Sequence, residues 1–226
     1  MIPWILLDKA IAPGDGKELR LFRRDKEFSI KVNADELMNS RVHNSEDALA
    51  RLACPRVAKQ AKKYILIGGL GMGFTLRAAL NNLNGQAHVT VAELMPAVVK
   101  WNRSFLASLA GNPLADKRVT VYEGDVADKI RSARDHYHAI ILDVDNGPQG
   151  LTRKGNDGLY TLCGLNVAYK ALRPGGNLAV WSAGPDMAFT KRLRKAKFRV
   201  EEAQVRTRSG RKGEGLSVVW IATKNE

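Results

Sequence analysis

Acidic side chains close consecutive apolar segments of this chain, and a glycine cluster closes the segment before them. The first segment, residues 64–67, breaks into Gly68, Gly69, Gly71 and Gly73. Glu93 closes the second segment, and Asp125 follows the third. Asp143 and Asp145 follow the fourth. Glycines let a backbone turn tightly and come close to a ligand, because no Cβ stands in the way. A helical pattern starts at Phe74, and a helix N-terminus offers free N–H groups. Glu93 lies about 20 residues beyond the glycines, where a nucleotide-binding unit places the acid for its ribose hydroxyls. Asp143 is the candidate for orienting or deprotonating a nucleophile. The alternative for Asp143 is a strand-end acid that contacts only the cofactor or caps a loop. Together these residues describe a nucleoside-cofactor site.

Such residues meet only if strands and helices alternate around them. The pattern predicts strands at 64–67, 88–94, 118–123, 138–144 and 177–182. Helices are predicted at 74–82, 96–109, 126–134, 158–172 and 186–196. Two last strands, 198–207 and 216–223, are joined by a short basic loop, which makes the last one antiparallel. Alternation of this kind gives a parallel sheet with helices on both faces. The helix at 44–60 opens on Ser45 as its cap, with Pro55 breaking or kinking it. Residues 1–40 read as a small β-hairpin unit, with ELRLFRR and EFSIKVN flanking Asp25-Lys26. Residues 41–226 form the nucleoside-binding domain.

The chain has 226 residues, 45% of them hydrophobic, enough for one large domain with a full core. No apolar run reaches the ~18 residues of a membrane span, and the N-terminus does not read as a signal peptide. Cys54 and Cys163 have no metal-type spacing and are expected to be packed free thiols in a cytoplasmic protein. The four histidines show no metal spacing either, so no metal site is expected. The formal charge is +13, with much of it in residues 191–199 and 206–212. This basic C-terminal surface suits an anionic partner, nucleic acid included. A solvated basic face kept for solubility accounts for it equally well.

The pattern resembles the class I AdoMet-dependent methyltransferase fold. That fold has a Rossmann-like, mostly parallel seven-stranded sheet with an antiparallel last strand. The resemblance implies that Gly68, Gly69, Gly71 and Gly73 form the cofactor loop. It implies that Glu93, with Leu94, takes the ribose, and that Asp125, with Val126, contacts the adenine. Asp143 would then border the reacting end. RPGG at 173–176 is a further shared habit.

A narrower resemblance is to the spermidine synthase (polyamine aminopropyltransferase) family. It rests on the N-terminal β unit, the helix carrying Glu46, GGLGMGFTLR and HAIILDVDNGPQG, in that order. That family uses decarboxylated AdoMet and transfers an aminopropyl group to putrescine. This chain carries Asn44 and Ser45 where the family has a Tyr-Gln pair. It carries Met72 where the glycine loop has an acid, and Asn146 in place of a second acid after the fourth strand. Ammonium groups taken out of water need carboxylates, so the lost acids favour methyl transfer. The expected function is therefore transfer from S-adenosylmethionine to a small-molecule acceptor, with Asp143 catalytic. Aminopropyl transfer from decarboxylated S-adenosylmethionine is the alternative, with Asp143 and Asp145 as its acid pair. The second alternative is a non-catalytic nucleoside-binding protein with a basic docking surface. The N-terminal β unit is a candidate homodimer contact.

Overall fold

The computed structural model describes residues 2–13, 16–33, 35–57, 61–144, 157–206 and 216–226. Two sheets organise it. A four-stranded antiparallel sheet runs β1 (Ile5–Ile11), β2 (Glu18–Arg24), β3 (Glu27–Val32) and β4 (Asp35–Asn39), in chain order. The expected hairpin is β2–β3, with Asp25 in the left-handed region at its turn. The sequence reading missed β1 and β4. A lone hairpin has too little area to bury one face, and the flanking strands supply it.

The seven-stranded sheet has the order β10-β11-β9-β8-β5-β6-β7. Its strands are β5 (Lys63–Gly68), β6 (Ala87–Glu93), β7 (Val119–Glu123), β8 (Tyr137–Leu142), β9 (Leu172–Ser182), β10 (Arg199–Arg206) and β11 (Leu216–Thr223). Only β11 runs against the rest, as the sequence pattern predicts. The order reverses beside β5, so the ends of β8, β5 and β6 adjoin. That switch point is where open α/β sheets leave a crevice.

The central strands β5 and β8 are short apolar runs because both of their faces are covered. Ile65 and Ile67 of β5 face one core, and Leu66 faces the other. On the first face lie α1 (Asn44–Ala53), α2 (Phe74–Asn82) and α3 (Pro96–Asn102). On the second lie α4 (Val126–Arg131), α6 (Leu162–Ala171) and α7 (Met187–Lys195). A short α5 (Asp157–Tyr160) precedes α6. The four-stranded sheet joins the first core through Leu19, Leu21 and Ile30. Asp8 of β1 ties it to α3 by accepting from the Trp101 indole N–H at 2.9 Å.

Several element bounds differ from expectation for local reasons. The helix predicted at 96–109 stops at Asn102, whose side-chain amide donates to the Val98 and Gly71 carbonyls. The helix predicted at 158–172 divides at Thr161, whose hydroxyl caps α6 by accepting from the Gly164 N–H. The strand predicted at 177–182 begins at Leu172, and RPGG forms a bulge against β8. Pro55 ends α1, and residues Cys54–Val57 tighten into a 3-10 turn. His43, not Ser45, stands at the α1 N-cap position, without a side-chain cap bond. Both cysteines are free thiols, Cys54 buried and Cys163 exposed rather than packed. No helix of the described residues is long and apolar enough to cross a membrane.

Candidate functional site

A cavity of about 380 Å³ opens over the C-terminal end of β5. That is within the size range of small-molecule sites. Its floor is the glycine loop, and its sides are the ends of β6, β7 and β8. Leu19, Ile30 and Met38 of the N-terminal sheet form a further wall. Of the four loop glycines, Gly69 and Gly71 line the cavity, and Gly68 and Gly73 do not. Gly68 packs behind the loop, where a Cβ would meet Val126 at 2.9 Å. Gly73 precedes α2 with φ +85°, turned toward Asn102 and Pro113. Gly69 is the tightest position: φ is +88°, and a Cβ would fall 2.3 Å from the Asp143 carbonyl oxygen. The β5 loop and the β8 end can therefore approach this closely only through glycine.

The predicted acids Glu93, Asp125 and Asp143 all border this cavity, as do Leu94 and Val126. Glu93 is buried, and it holds the loop in place. One carboxylate oxygen accepts from the Leu70 N–H at 2.8 Å, the other from the Met95 N–H at 2.9 Å. Burial raises its pKa, and these backbone donors oppose the rise. Asp125 caps α4 by accepting from the Ala127 N–H at 2.8 Å. Asp143 accepts from the Thr75 hydroxyl at 2.5 Å. Burial, and then the neighbouring negative charge of Glu46, push the Asp143 carboxyl up to about 7. Asp145, Asn146 and the loops 146–156 and 207–215 lie outside the described residues.

Glu46 is a cavity residue that the motif reading leaves out of the candidate site. It borders the cavity from the first turn of α1, and its carboxyl is also raised by burial. Its oxygen accepts from the Ser45 hydroxyl at 2.5 Å, which takes Ser45 away from any capping role. The next acid in α1 meets different surroundings. Asp47 accepts from Arg77 at 2.8 Å and lies 2.9 Å from the His43 ring nitrogen. Among the described residues, no lysine or arginine forms an ion pair with Glu46 or Asp143. Two carboxyls in one low-dielectric cavity repel each other when both are charged, so each resists ionisation. A cation entering between them would remove that penalty. The sequence signal for Glu46 was faint: an acid in a first helical turn usually serves the helix dipole.

Met72 stands where the family loop carries an acid, and it is a buried core residue at the cavity floor. Trp181 closes the side beyond β8, and its indole N–H has no partner among the described residues.

Residues 48–195 match the family model described as Spermine/spermidine synthase domain. The chain belongs to the spermine/spermidine synthase family. The matched stretch contains the glycine loop, Glu93, Asp125 and Asp143, and starts just after Glu46. Polyamine aminopropyltransferase 1 of Streptomyces coelicolor is 30% identical over 187 residues, 81% of this chain and 32% of that protein. Putrescine N-methyltransferase 2 of Nicotiana attenuata is 36% identical over 116 residues, 51% of this chain and 29% of that protein. The chain thus spans about a third of the length of these curated relatives. Spermidine synthase from Thermotoga maritima superposes with a TM-score of 0.73 at 18% identity, over 97% of this chain and 73% of that one. The likeness confirms the Rossmann-like class I methyltransferase fold expected from the sequence.

Proposed function

We propose that this chain transfers an aminopropyl group from decarboxylated S-adenosylmethionine to an amine of a diamine or polyamine. The Glu46–Asp143 pair carries the reading. The acid count along the motifs favoured methyl transfer, because Met72 and Asn146 replace family acids. The fold returns one acid to the site from outside those motifs, so a cationic donor and acceptor again find carboxylates there. A relative matched over most of this chain is named for the same transfer.

The cavity residues fit such a donor. In this reading Gly69 and Gly71 leave room for its backbone-facing side, Glu93 takes the ribose, and Asp125 and Val126 border the base. The donor's sulfonium activates the adjacent propyl carbon, which an amine attacks as a neutral thioether leaves. An attacking amine must lose a proton, and a carboxylate titrating near 7 is matched to accept it. Asp143 is that base. Thr75 fixes one Asp143 oxygen, so the other is free to aim at the amine. Glu46 holds positive charge alongside and keeps the Asp143 carboxyl basic.

N-methylation of a diamine is the second reading, favoured by Met72. S-adenosylmethionine carries a carboxylate that an acid in the loop would repel, and the uncharged thioether of Met72 removes that repulsion. The test is product analysis with putrescine and either donor. Methylthioadenosine from the decarboxylated donor, without S-adenosylhomocysteine from the other, supports aminopropyl transfer. The reverse outcome establishes methyl transfer and sinks the first reading. Calorimetric binding of a donor with neither product would leave a nucleoside-binding protein.

A further inference from the structure

The opposite edge of the seven-stranded sheet carries a second set of convergent side chains. Tyr64, the second residue of β5, lies there, and three histidine rings gather around its ring. Centroid distances are 4.8 Å to His136, 5.2 Å to His88 and 6.1 Å to His138. His88 and His136 are exposed, and the Tyr64–His88 planes differ by only 14°. The His88 and His138 rings stack on Tyr64 and the His136 ring is tilted by 40°, and no group of His, Cys, Asp or Glu among the described residues is arranged to hold a metal.

Exposed bases surround this stack. Lys62 precedes β5, and Arg134 precedes the His136 turn. Lys170 and Arg173 are placed by backbone contacts. The Asp135 and His136 N–H groups donate to the Lys170 and Ala171 carbonyls, both at 2.9 Å, and Arg173 Nε donates to the His136 carbonyl at 3.2 Å. All four are exposed and form no ion pair among the described residues. Two acids lie nearby: Asp135 pairs with Lys224 at 2.7 Å and also feels the charges of Arg134 and Arg173, and Asp128 pairs with Arg131 at 2.5 Å.

We propose that this edge binds single-stranded nucleic acid, with the phosphates on Lys62, Arg134, Lys170 and Arg173 and a base on the exposed rings. Charge alone would fit any polyanion. Charge around flat, exposed rings fits a strand with unstacked bases, because stacking supplies what a carboxylate polymer lacks. A duplex keeps its bases stacked and would use only the phosphates. The basic C-terminal stretch on α7 offers no such rings, which is why the sheet edge is the better site. The proposal is independent of the transfer reaction, whose cavity lies at the far end of the strands, about 20 Å away.

The test is fluorescence anisotropy of the purified chain with labelled single-stranded RNA and DNA of about 20 nucleotides. Binding by either sugar type supports the proposal, and the tighter one names the partner. Binding should weaken more than tenfold between about 50 and about 200 mM salt. The Arg134→Glu/Lys170→Glu double variant should lose roughly tenfold or more at fixed salt. His136→Ala, at an exposed position, should lose several-fold, and thermal melts of both variants check folding. Three results would each overturn the idea: no binding at about 50 mM salt, tighter binding of duplex than of single strands, or equal competition by polyglutamate. Retained affinity in folded His136→Ala and Tyr64→Leu would also overturn it.

Discussion

The two edges of the parallel sheet carry opposite charge and treat it in opposite ways. At the C-terminal edge, Glu46, Glu93 and Asp143 are enclosed by loops, α1 and the N-terminal sheet, and burial raises all three carboxyls. At the N-terminal edge, Lys62, Arg134, Lys170 and Arg173 stand in solvent. An enclosed charge is costly until a counter-charge arrives, so it responds strongly to a ligand or a proton. An exposed charge costs little and acts through the summed field and through salt-dependent contacts. The first arrangement suits chemistry on a small cation, and the second suits docking of a polyanion.

The largest effect that would sharpen this contrast is expected from Asp143→Asn. Turnover should fall by roughly 10²–10⁴ while donor binding, followed by calorimetry, persists. Stability should move the other way. Asp143 titrates near 7 in the fold and near 3.8 in an ordinary carboxyl, so the fold favours its protonated form. Its stabilising share is complete at low pH and is lost as the pH rises through that window. Asp143→Asn should therefore melt higher than the parent at pH 8, with the gap closing toward pH 5. A variant that melts lower at pH 8 would show that the carboxylate is not strained.

Gly69→Ala comes next. It combines a left-handed φ with a backbone clash at 2.3 Å, and should cost on the order of 2 kcal/mol or more. Gly85→Ala, where a Cβ meets nothing within 4 Å, is its control in chemical denaturation. Glu46→Gln should raise the KM for a cationic donor by roughly tenfold, the worth of about 1.4 kcal/mol. It should also move the acidic limb of the pH–rate profile downward, because the like charge that raises Asp143 is gone. An unmoved limb would separate the two acids and break the pair.

The smallest effects belong to the other edge. Lys170→Glu should leave kcat and KM within about twofold of the parent, as expected for an exposed charge far from the cavity. His138 is buried, accepts from the Tyr64 N–H at 3.1 Å, and has a lowered pKa through burial and then Arg173. Its share of stability is present at high pH and is lost as acid reaches the ordinary histidine range. His138→Gln should flatten the acid limb of a melting-temperature profile and leave the alkaline side to Asp143.

Much of this was legible along the chain because it is written at short range. Strand, glycine turn and strand-end acid lie within a few residues of each other, and the alternation of apolar runs sets the topology that brings them together. That pattern alone brings Gly69, Gly71, Glu93, Asp125 and Asp143 to the C-terminal edge of the sheet, where they border one cavity. The seven-stranded sheet and its antiparallel last strand follow from the same periodicity. Gly68 and Gly73 share the motif yet face packing neighbours, a difference that depends on where Val126 and Asn102 sit.

Tertiary structure alone decided the remainder. Glu46 borders the cavity because α1 packs across α2 and β9. Its neighbour Asp47 turns instead to Arg77, one step around the same helix. The Tyr64 stack assembles rings from β5, β6 and the start of β8, three segments remote in sequence. Local pattern determines which elements form and which residues end them. Which of two adjacent acids takes an arginine partner and which borders the cavity depends on long-range packing.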